Sequence, residues 1–219
     1  MKEQYSNKNI NYIGNVINAM EQPSKANITA QKNKSNKLLF IGNKAYKEGA
    51  ECLIKSFASL KAHYYDLTLD IIGMQESDFT ELPQGVCCHG YLNKGNENDL
   101  NIFYELMRES KIFINTTPKW GAFSATLEAM YFYTPIIISP YKEFIETFGP
   151  HIDFGYFCEL NQTVLLTENI KIILDLPYEK FDKLCVNAHS AVADYSWANY
   201  IDKFLEKTES LIIEKEMHR

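Results

Sequence analysis

The chain has no apolar run approaching the ~18 residues a membrane span needs, and its opening MKEQYSNKNINYIGN holds no apolar signal core. A cytoplasmic location is therefore expected. Positive charge is also scarce. With 22 Lys and Arg against 28 Asp and Glu, the net charge is -6, which argues against a nucleic-acid surface and against long-range steering of an anion. Local basic positions can still neutralise a phosphorylated small molecule. Cysteines are few and odd in number. None of Cys52, Cys87, Cys88, Cys158 and Cys185 forms a pair at zinc-ligand spacing. Cys88 beside His89 lacks the third group that a metal site or a nucleophile-base pair would require. Reduced thiols used as small core residues are expected, with Cys87 and Cys88 on opposite faces of a strand. There is no internal repeat.

What is present is an ordinary hydrophobic fraction, 46%, unevenly distributed. Residues 1–36 are polar, rich in Asn, Lys, Gln and Ser, with one weak apolar patch, NYIGNVINAM, and are expected to bury little on their own. From Lys37 onward, short apolar runs alternate with amphipathic stretches of helical length, the signature of an α/β domain with a parallel sheet. LLFIG (38–42), LTLDIIG (67–73), GVCCHGYL (85–92), KIFINTT (111–117), TPIIIS (134–139) and GYFCEL (155–160) read as strands. Helices are expected over 48–64, 98–110, the segment carrying Glu128, 164–174 and 178–194, followed by an amphipathic closing segment. The organisation expected is a polar segment at 1–36, one Rossmann-like domain at 37–212 with helices on both faces of its sheet, and a polar tail at 213–219.

In such a sheet, ligands bind beyond the carboxyl ends of the strands. Two of the loops there carry suggestive chemistry. GNKAYKEG (42–49) offers a flexible turn at Gly42, then Asn43, Lys44 and Lys47 before a helix start, where amides and the helix dipole favour a diphosphate. In TTPKWGAFSATLEAM, Gly121 permits close backbone approach. Phe123, Ser124, Ala125 and Thr126 would present first-turn N–H groups, and the small residues leave room for a phosphate. Glu128, one turn on, is a two-oxygen acceptor suited to a vicinal diol such as a ribose. An isolated helix acid facing solvent is the competing reading of Glu128. Lys47 likewise could be a solvated loop lysine. Trp120 could stack on a base or pack at a loop edge, and the latter is favoured. Glu146 reads as a surface acid, and His89 as a histidine that could face the cleft.

The ordered succession LLFIG, KEG with LIKSF, LDIIG, HGYL, NTTP with FSATLEAM, TPIIIS and a late SW resembles the C-terminal, donor-binding half of GT-B glycosyltransferases, most similar to glycosyltransferase family 4. The resemblance covers 37–212. It implies binding of a nucleotide-diphosphate sugar, glycosyl transfer with retention of configuration to a glycan or lipid acceptor, and a hexosyltransferase-like activity in polysaccharide biosynthesis. In that family an acid, seven intervening residues and then Glu-Ala-Met form a characteristic pattern. Glu128 matches the second acid, the ribose ligand, while the first, which contacts the sugar, falls on Trp120, or on Gly121 if the alignment slides by one. The family's arginine after the first glycine is Asn43 here, and its lysine before the next glycine is Glu48, with Lys47 one place earlier.

No Asp-x-Asp motif occurs, so the expectation is a metal-independent site without a cofactor. The acceptor half of the two-domain fold has no counterpart in the chain. NYIGNVINAM resembles its end and hinge, and YSWANYIDKFLEKTESLI the segment that crosses back onto it. A separate N-terminal half is thus an expected partner, and peripheral membrane association would come through that partner or the acceptor. Two alternatives stand beside an active transferase. One is a noncatalytic nucleotide-binding or assembly subunit, either a decayed half or one chain of a split enzyme. The other is a generic Rossmann-like binding module.

Overall fold

The computed structural model describes residues 15–117 and 123–217. Trp120 and Gly121, as well as the first 14 residues, lie outside that range, as does the side chain of Phe123. The chain divides into two compact units, one of Ala19–Val192 and one combining Met1–Asn18 with Ala193–Arg219.

The larger unit is built on six parallel strands: β1 (Lys37–Ile41), β2 (Thr68–Ile72), β3 (Val86–Gly90), β4 (Ile112–Asn115), β5 (Ile136–Ile138) and β6 (Gly155–Phe157). Their order is β3-β2-β1-β4-β5-β6. Parallel strands require crossover connections, and these are α2 (Lys47–Lys61), α3 (Glu97–Glu109), α4 (Phe123–Tyr131) and α5 (Lys142–Phe148), with the β2–β3 link made by a 3-10 turn at Glu76–Asp78. Helices α6 (Thr163–Leu174) and α7 (Tyr178–Val192) follow the last strand. Leu38, Leu39 and Phe40 of β1 and Ile112, Phe113 and Ile114 of β4 are fully buried, as expected of central strands covered on both faces. The Rossmann-like α/β fold read from the sequence is the fold observed.

Two helices were not anticipated as such. α5 occupies the region after β5 that reads as loop. The other is α1 (Lys25–Lys34), inside the segment expected to bury little. Its buried side consists of Ile28, Thr29 and Lys32. Lys32 is wholly enclosed, and its ammonium donates to the carbonyls of Met107 at 2.6 Å and Ser110 at 2.7 Å and to the Thr134 hydroxyl at 2.9 Å. A lysine with all three hydrogens accepted can occupy a core position that pattern reading reserves for apolar residues. The compact unit accordingly begins well before residue 37.

In the smaller unit, α8 (Trp197–Met217) continues through the expected boundary at 212. The Ile17 N–H donates to the Tyr195 carbonyl at 2.9 Å and the Trp197 indole N–H to Asn18 Oδ1 at 3.0 Å, tying the two ends of the chain together.

Candidate functional site

The direction of strand addition reverses between β1 and β4. To one side of that seam lie β2 and β3, to the other β5 and β6. The loops leaving β1 and β4 therefore diverge to opposite faces and open a crevice at their carboxyl ends, the general place for a ligand in such a sheet. Both loops singled out in the sequence leave from these two strands.

The loop after β1 is tight. The Gly42 N–H donates to the Ile72 carbonyl at 3.0 Å, and a Cβ on Gly42 would stand 2.9 Å from Phe40 and from Tyr46. Gly73, at the end of β2 with φ +98°, closes on the Gly42 carbonyl, which a Cβ there would approach to 2.6 Å. Only glycine combines that backbone with that contact. Asn43 caps the 3-10 turn Lys44–Tyr46, its side-chain oxygen accepting the Ala45 N–H at 2.9 Å. Lys44 turns to Asp78 at 2.6 Å, and Lys47, the first residue of α2, to Glu51 at 3.4 Å along its own helix. Lys47 thus stands at a helix N-terminus with its ammonium in a half-exposed pair that a stronger anion can displace.

Across the seam, Gly49 in the first turn of α2 abuts Thr117, just beyond β4. A Cβ on Gly49 would collide with the Thr117 hydroxyl. The buried Thr117 hydroxyl has no hydrogen-bond partner among the described residues. Its neighbour Thr116 donates to Asn161 Oδ1 at 2.7 Å.

Helix α4 starts at Phe123. In its first turn Ser124 is exposed, Ala125 half-buried and Thr126 fully buried, so the small residues grade from crevice to core. A helix start leaves its first amides without intrahelical partners, which gives this end of α4 the capacity to bind an anion. Glu128 lies in the next turn and is buried, with 7% of its surface exposed. It is not the solvated surface acid of the competing reading. Lys94, from the loop between β3 and α3, donates to Glu128 Oε2 at 2.6 Å while its ammonium sits 4.0 Å from the centroid of Phe103. A carboxylate offers about four acceptor positions, so this pair leaves Glu128 able to accept further hydrogen bonds.

Lys94 carried no signal in the sequence, because it sits in an Asn- and Gly-rich turn, LNKGNEN, where lysines are ordinary. His89 turns to Asp70, with Nε2 2.6 Å from Oδ1, on the β2–β3 side of the sheet. Glu146 is an exposed acid on α5, 3.9 Å from Lys142, a surface acid as read from the sequence. Cys52, Cys158 and Cys185 are buried free thiols as expected, whereas Cys87 is exposed because β3 is an edge strand.

Residues 21–191 match the model of the family described as glycosyl transferases group 1. The chain belongs to that family. No curated protein matches it. Among solved structures, a point mutant of TarM from S. aureus, in complex with Fondaparinux, alpha-GlcNAc-glycerol and UDP, superposes with a TM-score of 0.69 at 17% identity over 93% of this chain. A glycosyltransferase from Rickettsia africae ESF-5 gives 0.70 at 17% identity over 91%, and the pneumococcal O-GlcNAc transferase GtfA, in complex with UDP and GlcNAc, 0.65 at 13% over 91%. The chain spans 40%, 56% and 39% of those three chains. At such identities the likeness is one of fold, that of the GT-B transferases. In this group 1 domain, Lys47 opens α2 after the first central strand, and the buried Glu128 lies in α4 after the second.

Proposed function

We propose that this chain is the donor-binding half of a family 4-type glycosyltransferase and holds a nucleotide-diphosphate sugar in the crevice between β1 and β4. The observation that carries the reading is Glu128, buried, paired with Lys94 and placed one turn beyond the start of α4. The ribose diol donates to the Glu128 carboxylate. The diphosphate lies on the amides opening α4, beside Gly121, and on Lys47 at the start of α2, with Gly42 and Asn43 shaping the turn between. As the bond from the anomeric carbon to the diphosphate breaks, negative charge grows on the leaving oxygen, where fixed dipoles and the lysine stabilise it. The role is metal-independent donor binding, with retention of configuration and a hexosyl group passed to a glycan or lipid in polysaccharide biosynthesis. The acceptor face is contributed by a further GT-B half, in the same polypeptide or another, acting in the cytoplasm with any membrane contact made through that half or the acceptor.

A second reading, a noncatalytic nucleotide-binding or assembly subunit, is favoured by one specific feature. Trp120, or Gly121, stands where the resemblance implies an acid against the sugar, and Asn43 where it implies an arginine.

Calorimetry with UDP, GDP and ADP, and with the 2'-deoxy form of whichever binds, tests the site. Glu128→Ala should weaken the ribonucleotide by about 1–3 kcal/mol, the worth of a charge-assisted bond, and abolish the preference for ribose over deoxyribose. Unchanged affinity and unchanged preference would remove Glu128 from the site. Transfer of the sugar on mixing with an acceptor half, with none by either alone, supports the enzyme. Nucleotide binding without transfer in that mixture supports the subunit.

A further inference from the structure

A second cluster lies at the other end of the sheet from the last strand, on the edge formed by β2 and β3. Asp70 and Cys87 are register partners across the two strands, and His89 follows two residues later on β3. The pairing shifts there. Ile71 lies opposite Cys88 but Ile72 opposite Gly90, so His89 is the extra residue of a β-bulge. Bulges re-aim side chains and are rare between parallel strands. This one brings the imidazole back over Asp70, Nε2 to Oδ1 at 2.6 Å. A carboxylate oxygen, the Cys87 Sγ and an imidazole nitrogen all lie within 4.8 Å of one another. Asp70 is buried, His89 half-buried and Cys87 exposed, so the cluster has a fixed floor and an open mouth.

We propose that Asp70, Cys87 and His89 form a zinc site that clips the edge strand β3 to β2. Zinc takes thiolate, imidazole and carboxylate together and accepts a water as fourth ligand, whereas the hard cations Mg²⁺ and Ca²⁺ seek oxygen ligands alone. Tetrahedral zinc at ~2.0–2.3 Å from each ligand sets them roughly 3.3–3.8 Å apart. The Asp70–His89 contact therefore lengthens by about 0.7 Å, and the thiol of the exposed Cys87, within 4.8 Å of both, swings in to complete the set. The nearby cation does not compete for the same oxygen. Lys37 is 3.8 Å from Asp70 Oδ2, the oxygen opposite the one facing His89, and is itself held by Glu109 at 2.6 Å. Binding exchanges the Cys87 thiol proton for the metal, and that proton leaves to solvent.

Cobalt, a spectroscopic stand-in for zinc, gives the test. Metal-free protein titrated with Co²⁺ should take up one equivalent with visible bands of a tetrahedral site and a near-ultraviolet thiolate-to-cobalt band, and Zn²⁺ should displace it. Cys87→Ser should remove the thiolate band, His89→Gln should weaken Co²⁺ at least 10-fold, and Cys88→Ser, on the other face of β3, should leave both unchanged. Zn²⁺ but not Mg²⁺ should raise the melting temperature of the wild type and not of Cys87→Ser. Absence of a stoichiometric site, or an unchanged thiolate band in Cys87→Ser, overturns the proposal. Because Cys87 is exposed, that variant tests the site even if His89→Gln fails to fold.

Discussion

Replacing Lys32 by methionine removes the charge from the core while nearly keeping its length. The amine contacts three acceptors, the Met107 and Ser110 carbonyls and the Thr134 hydroxyl, and near pH 9, where it is neutral with two hydrogens, two of them at a time lose a donor. Each orphaned buried acceptor costs ~1–3 kcal/mol, partly offset by relief of the buried amine's desolvation, so a net loss of about 3 kcal/mol is expected near pH 9. For a chain of this size that lowers Tm by roughly 6–12 °C. The pH dependence is the sharper readout. Burial pushes Lys32 down to about 7, against Cys185 and Glu109, which raise it. The unfolded chain, whose lysine keeps its ordinary value, then binds more protons than the folded one between pH 7 and about 10.5. Stability from this group is least below pH 7 and rises through that window by up to about 1.4 kcal/mol per pH unit. Urea denaturation of wild type and Lys32→Met at pH 6 and pH 9 should show a deficit for the variant that grows with pH. A deficit that is equal at both pH values, or larger at pH 6, would refute the assignment of a strained buried amine.

Two further outcomes concern the crevice. Gly49→Ala forces a methyl group into the Thr117 hydroxyl and should destabilise by about 1–3 kcal/mol in thermal melts, with nucleotide binding weakened in step. A wild-type melt would mean that α2 shifts freely at the seam. Lys47→Ala should weaken nucleoside diphosphates by about fivefold or more and leave the bare nucleoside unaffected. Equal losses for both, by calorimetry, would contradict a phosphate role.

The sheet was legible because its central strands are apolar on both faces. LLFI and IFIN are short apolar runs bounded by turn residues, which reads as buried strand, and the amphipathic stretches between them supply the crossovers. The strand order could not be read from the sequence, although both loops singled out leave β1 and β4, the two strands adjacent at the reversal. α1 was not legible, because its buried side is met by Lys32, whose partners come from residues 75 to 102 positions away. The Glu128–Lys94 pair has the same cause: 34 residues separate the partners, and nothing local to Lys94 marks it. Alternation did separate Cys87 from Cys88. It could not place Asp70 beside Cys87, which depends on strand register, or re-aim His89, which depends on a bulge.

Asn161 has a backbone of φ +54° and joins α2 to the end of β4. Its side chain takes the Thr116 hydroxyl, its carbonyl takes the Cys52 thiol at 3.0 Å, and a Cβ on Gly49 would stand 3.2 Å from its Oδ1. The stretch from Glu159 to Gln162 therefore works as a keystone rather than a spacer. Lengthening or shortening it by one residue would pull α2 and the end of β4 out of step beside the candidate site, although no residue of that site had been altered.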